Sequence, residues 1–265
     1  MRNPYIIGIS SQKGGVGKTT ISVNLSVALR SLNYRVLLID ADTTNPSVGF
    51  HMGLDKANTG YRDVVYGRAN LRDAIAIHSP TGLHVLPGTL NTKQFSPPSS
   101  RIDSLGGALR NSNYDFIMFD TAPGSVELDI SKYYDEALIL TTPEMSACTS
   151  SMRLANRYNQ MKIIHNLAVN RVRNKRYEIS LEEIEEIYEK KVRGTLPEDD
   201  IVPISISQHI PAYVLGPDSR FSKGIRSMAK KYASSDSRLT MGFEDMGVRA
   251  RIASFLKRLF GLRLR

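Results

Sequence analysis

Ser11-Gln12-Lys13-Gly14-Gly15-Val16-Gly17-Lys18-Thr19-Thr20 follows the apolar run Tyr5-Ile6-Ile7-Gly8-Ile9 and precedes a helical pattern from Ile21 to Leu29. A strand, a glycine-rich turn and a helix start in that order aim several backbone N–H groups and the positive end of a helix at one point, which suits a polyphosphate. Lys18 adds a charge for the outer phosphates, and the Thr19 hydroxyl is placed to ligate Mg²⁺. Gly14, Gly15, Val16, Gly17 and Thr20 complete the cradle. The Gly-Lys-Thr ending in this strand–helix context favours a phosphate-binding loop over a turn that merely joins two elements.

Outward from the loop, strand-like and helical runs alternate: Tyr5–Ser10, a helix from Lys18, Arg35–Asp40, helical stretches to about Ile75, Leu83–Pro87 and a helix near Ser104–Arg110. Then come Asp115–Asp120, Glu136–Thr141, a helix from Ala147, Lys162–Asn170, Lys191–Leu196 and a closing helix from Ser219 to about Ala233. Continuously apolar interior strands in such an alternation predict an α/β fold, a mainly parallel twisted β-sheet with helices on both faces. Ligands of these folds sit beyond the carboxyl ends of the strands. There the sequence places Asp40 and Asp42 after Val36–Ile39, and Asp120 after Phe116–Phe119. Carboxylates at two strand ends, facing a triphosphate, suit the water shell of Mg²⁺ and the orientation of an attacking water. Asp40 or Asp42 taken alone reads equally well as a cap on the next helix.

The 265 residues fit one large domain with a short appendage. Its single cysteine, Cys148, excludes a disulfide framework and disfavours a Cys-ligated metal or iron–sulfur site. No leader pattern and no bilayer-length apolar run occur, so a cytoplasmic protein is expected. Net charge is +9, but six basic residues and no acid lie in 248–265, leaving 29 basic against 26 acidic residues, +3, before it. That asymmetry points to a tail meeting a polyanionic surface. Gln94–Ser100, with Pro97-Pro98, reads as a surface loop, and Met145, Met152 and Met161 as packing residues.

The spelling Lys13-Gly-Gly-Val-Gly-Lys-Thr-Thr20, with a second lysine near its start, resembles the deviant Walker A motif of the ParA/MinD family of P-loop ATPases. The resemblance implies ATP and Mg²⁺ as ligands, and an ATP-sandwich homodimer in which Lys13 reaches the partner's phosphates. It also implies that Lys13, Lys18 and Asp42 are catalytic, Asp42 positioning or activating the hydrolytic water. Thr19, Asp40 and Asp120 would support Mg²⁺. Asn174-Lys175-Arg176-Tyr177 lacks the aspartate of a guanine signature, which favours adenine. In the MinD-like branch the adenine pocket is lined by an asparagine, here Asn170, and a Pro-Glu-Asp segment, here Pro197-Glu198-Asp199. Asn170 also reads as a strand-ending turn residue.

Residues 1–233 therefore read as the ATPase domain, 234–247 as a polar linker and 248–265 as an amphipathic helix. In the last segment Val248, Ile252, Phe255, Leu256, Leu259 and Phe260 recur at three- and four-residue spacing, with Arg251, Lys257 and Arg258 outside their arc. An apolar stripe with cations opposite describes an interfacial membrane helix; a terminal helix packed on the domain is the plainer alternative. Phe255–Gly261 resembles the membrane-targeting sequence of the MinD branch, which Asp120-Thr121-Ala122-Pro123-Gly124 and Thr141-Thr142-Pro143-Glu144 also favour. The resemblance implies a peripheral protein of the inner face of the cell membrane that positions a cargo, in cell-division site placement or another positioning task, and answers to an activator. Bacterial members carry acidic residues for docking a division inhibitor and an activator where this chain has Ser150 and Met152, so cargo and activator stay unnamed. The competing reading is a ParA-like ATPase that binds nonspecific DNA for chromosome or plasmid partitioning.

Overall fold

The computed structural model describes residues 3–54, 57–89, 96–124 and 129–235. Elements follow in the order β1 (Tyr5–Ser10), α1 (Lys18–Ser31), β2 (Val36–Asp40), α2 (Val48–His51), α3 (Tyr61–Val65), α4 (Leu71–Ala74), β3 (Ala76–His78), β4 (Leu83–Leu86) and α5 (Ser99–Arg110). The chain continues through β5 (Phe116–Asp120), a 3-10 turn (Asp129–Tyr133), β6 (Glu136–Thr141), α6 (Met145–Gln160), β7 (His165–Val172), α7 (Leu181–Tyr188), β8 (Gly194–Pro197), α8 (Ile201–Ser207), α9 (Ala212–Leu215) and α10 (Arg220–Ser235).

Eight strands form one sheet in the order β3-β4-β2-β5-β1-β6-β7-β8, parallel throughout except for the β3–β4 pair at one edge. Successive side chains on a strand face opposite ways, and the strands divide their apolar residues accordingly. Ile7, Ile9, Leu38, Met118 and Leu138 pack in one core with α1, α9 and α10. Ile6, Leu37, Ile39, Ile117, Phe119 and Ile139 pack in the other with α5, α6 and α7. Because both faces are covered, β2, β5 and β6 are buried at every position and β1 at all but Tyr5.

Several expectations need correction. The edge strand β3 was not expected: it has three residues and leaves Ile77 59% exposed, too short and too wet to show a period. Ser99 and Ser100, read as loop, open α5, whose start is set by the fixed φ of Pro98 (−59°) rather than by an apolar residue. Met145 and Met161 are exposed rather than packed, since they flank α6 on its solvent side. The final helix and its residues Ile252, Phe255, Leu256, Lys257, Arg258, Leu259 and Phe260, with nearly all of the 234–247 linker, lie outside the described residues.

Candidate nucleotide and metal site

The loop between β1 and α1 turns on glycine. Gly17, the residue before α1, has φ 96° and ψ 27°, and Gly15 has φ 77°, a left-handed conformation that costs other residues free energy. A Cβ on Gly17 would stand 2.4 Å from Asn170 Nδ2, so the position also needs the missing side chain. With α1 starting at Lys18, its unpaired N–H groups face the mouth of the loop. The loop is tied to the sheet by Gly124 N, which donates to Ser11 O at 2.8 Å.

Lys18, Thr19, Asp40, Asp42 and Asp120 come together at the carboxyl ends of β1, β2 and β5. Asp40 and Asp120 are register partners on adjacent strands. Thr19 Oγ1 donates to Asp120 Oδ2 at 2.6 Å, and Ser22 Oγ donates to Asp120 Oδ1 at 2.9 Å. Lys18 Nζ donates to Ser11 Oγ at 3.2 Å. Burial lowers the Lys18 pKa, while the charges of Asp120 and Asp42 act to raise it. Burial, and then the Asp120 charge, push the Asp40 carboxyl well above the usual carboxylate range. Burial also raises Asp120, against the Thr19 and Ser22 hydroxyls and the Lys18 ammonium, which pull it down. Two buried carboxylates beside a hydroxyl form an oxygen-only set under excess negative charge, which fits Mg²⁺ as a hard cation.

Asp40 and Asp42 do the work of turn residues, the reading each allows when taken alone. Asp40 Oδ2 accepts from Val48 N at the start of α2 (3.0 Å), and Oδ1 from Asp42 N (3.3 Å). Asp42 Oδ1 accepts from Thr44 Oγ1 (2.6 Å), Thr44 N (3.1 Å) and Asn45 N (2.9 Å). Its Oδ2 has no hydrogen bond among the described residues, which leaves one oxygen for a water.

Beside the loop a cavity of about 310 Å³ is lined by Gly17, Thr20, Asn170, Pro197, Glu198 and Asp199, with Val202, Ile206 and Phe221 as apolar walls. Asn170 is buried and its Nδ2 donates to Val16 O at 2.8 Å. The two carboxylates of the Pro-Glu-Asp segment are turned to other partners. Glu198 forks onto Arg173, and Asp199 accepts from Ile201 N and Phe221 N at 3.2 and 3.1 Å. Toward the cavity this segment offers its backbone, beside the Asn170 amide and the further polar lining residues Thr20, Arg171 and Asp200. Lys13 stands apart, half-buried at the rim, with Nζ donating to Ser146 Oγ on α6 at 2.6 Å.

Sequence reasoning missed Ser22 and Ser47, whose Oγ lies 3.0 Å from Thr19 Oγ1. Ser22 carried a signal, being one helical turn from Thr19 and so on the same face of α1; Ser47 sits in a stretch without periodicity and carried none.

A family model described as an AAA domain matches residues 4–171, from before β1 to just past Asn170. An uncharacterized ATP-binding protein of Methanocaldococcus jannaschii is 30% identical over 263 residues, 97% of each chain. The septum site-determining protein MinD of Bacillus subtilis is 29% identical over 270 residues, 97% of this chain and 98% of that one. Among solved structures, MinD of Pyrococcus horikoshii complexed with Mg-ADP is similar with a TM-score of 0.82 and 27% identity, covering 90% of this chain and 100% of the other. With its glycine loop, its two strand-end carboxylates and this match along nearly its whole length, the chain belongs to the MinD branch of the ParA/MinD family of P-loop ATPases.

Proposed function

We propose that the chain binds Mg-ATP at the 11–20 loop, pairs with a second copy across the nucleotide, and in that state holds a protein cargo at an anionic membrane surface until hydrolysis releases it. The observation that carries this reading is the place of Lys13. Lys13 is half-buried at the mouth of the cradle and its ammonium, among the described residues, donates only to Ser146 Oγ; there a facing copy would present its own phosphates.

Lys18 holds the outer phosphates, and Thr19 with Asp120 holds the cation, Asp40 acting through its water shell. Bound Mg²⁺ supplies positive charge to the phosphate oxygens as the terminal bond breaks. Asp42 orients the attacking water through Oδ2 while Thr44 and Asn45 fix its carboxyl plane. The Asn170 amide and the backbone of Pro197–Asp199 take adenine.

The 248–265 segment explains why pairing would govern membrane residence. Each large apolar side chain buried contributes about 1.5–3 kcal/mol, and each cation near anionic lipid about 1 kcal/mol. Ordering the helix costs about 1–2 kcal/mol per residue. One copy is therefore marginal, whereas two linked copies gain about 10²–10⁴ in avidity. Liposome sedimentation with ATP, with ADP, and after deletion of 252–265 tests the reading; equal sedimentation in all three rules it out.

One observation favours the second reading, a ParA-like ATPase on nonspecific DNA. α10 carries Arg220, Lys223 and Lys230 exposed along one side and no acidic residue anywhere in its length. Salt-sensitive duplex binding that survives removal of 248–265 would select that reading.

A further inference from the structure

The nucleotide end of the sheet is not its only built concavity. At the opposite end, under the amino ends of β2 and β4, lies a groove of about 760 Å³. Three arginines reach it from separate elements: Arg30 from the last turn of α1, Arg35 from the residue before β2, and Arg72 from α4. Arg35 is committed to Asp115, with Nε and Nη2 donating at 3.3 and 3.1 Å. Arg30 Nε donates only to a carbonyl, Gly82 O, at 3.1 Å. Arg72 has no hydrogen bond or ion pair among the described residues. Two guanidinium groups thus face the groove without a carboxylate.

The rest of the lining fits the same chemistry. Asp73 is the one acid in it, and its Oδ2 already accepts from Asn70 Nδ2 at 3.1 Å. Ser112 Oγ is buried without a protein partner among the described residues, Asn113 lines the groove next to it in the chain, and Asn111 Nδ2 already donates to Gly107 O at 3.0 Å. Val36, Leu71 and Ile75 make an apolar floor.

We infer that this groove binds a phosphate ester. Forked guanidinium groups converging from different elements match an anion that offers three oxygens, and neutral donors complete its shell. A lone carboxylate would leave part of that set unused. The apolar floor takes the organic group. The site is separate from the 11–20 loop by the length of the strands, roughly 17–20 Å at about 3.3 Å per residue.

A phosphate ester can arrive free in solution or as a lipid headgroup, and both sources are tested on the full chain with Mg-ADP saturating. The soluble probe is sn-glycerol 3-phosphate, followed by ³¹P NMR; the lipid probe is flotation with phosphatidylglycerol against phosphatidylcholine vesicles. Saturable binding of the soluble probe is expected, weakened about tenfold or more by Arg72→Gln, the scale of one hydrogen bond to a charged group. Arg30→Gln should weaken it further, and doubling the Mg-ADP concentration should leave it unchanged. Arg72 is exposed on a short helix, so its variant keeps the test valid where Arg30→Gln destabilises the fold. Loss of phosphatidylglycerol binding in both arginine variants, with no response to the soluble probe, assigns the site to a headgroup. The inference is overturned when neither probe senses Arg30 and Arg72. It is also overturned when added Mg-ADP displaces the probe, which would put the phosphate in the 11–20 loop.

Discussion

Gly17→Ala tests whether the loop's shape and the neighbouring cavity depend on one another. At φ 96° an alanine carries the left-handed penalty, about 1–2 kcal/mol. Its Cβ would also stand 2.4 Å from Asn170 Nδ2, and that amide is 5% exposed, with little room to retreat. Displacing it breaks the 2.8 Å bond to Val16 O and strands a buried carbonyl, a further loss of about 1–3 kcal/mol. Together the substitution should destabilise the chain by about 2–5 kcal/mol and weaken nucleotide binding, because Asn170 lines the cavity. Urea unfolding of the wild type, Gly17→Ala, Asn170→Ala and the double variant separates the two parts. In the Asn170→Ala background only the conformational part should remain, about 1–2 kcal/mol. An identical cost of Gly17→Ala in both backgrounds would refute the steric argument, and nucleotide affinity unchanged by Gly17→Ala would refute the link to the cavity.

Asp42→Asn preserves an oxygen for the Thr44 and Asn45 donors while removing the charge, so unfolding and nucleotide binding should stay near wild type as turnover falls about 10²–10⁴-fold; single-turnover hydrolysis at the normal rate would remove Asp42 from the chemistry. Glu136 is 1% exposed and accepts from Arg193, Tyr5 and Tyr232. Glu136→Ala should therefore cost about 2–4 kcal/mol by leaving a half-buried guanidinium and the buried Tyr232 hydroxyl without their acceptor, read as a lowered unfolding midpoint. Burial lowers the His78 pKa to about 4. The unfolded chain takes up a proton below pH about 6.5 that the folded chain refuses. Stability should fall between pH about 6.5 and 4, by about 3 kcal/mol from His78, and His78→Gln should flatten that slope; an unchanged slope would place the titration elsewhere.

How much of this was readable beforehand depended on the kind of signal. The apolar strands with their terminal aspartates and the glycine loop each carry a local pattern, and β1, β2, β5 and β6 lie where that pattern puts them. Asn170 beside Pro197–Asp199 came only from resemblance, since their meeting requires β7 and β8 to pair with a register shift between Val169 and Val172. No window of sequence contains that pairing. β3 has no period because its edge position leaves one side wet, and Met145 and Met161 show that a methionine near a helix end says little about which way it faces. Ser47 gains its meaning from Thr19, twenty-eight positions away.

The Tyr232 hydroxyl meets Glu136 at 2.7 Å, and Arg193 lies over the Tyr232 ring at 4.6 Å. This clasp fixes the last turns of α10 to the amino ends of β1 and β6, across the full depth of the sheet from the phosphate loop. The thirty residues that follow Ser235 therefore start from the far pole of the molecule. The clasp thus makes the end of α10 a fixed anchor, set at the end of the sheet away from the nucleotide.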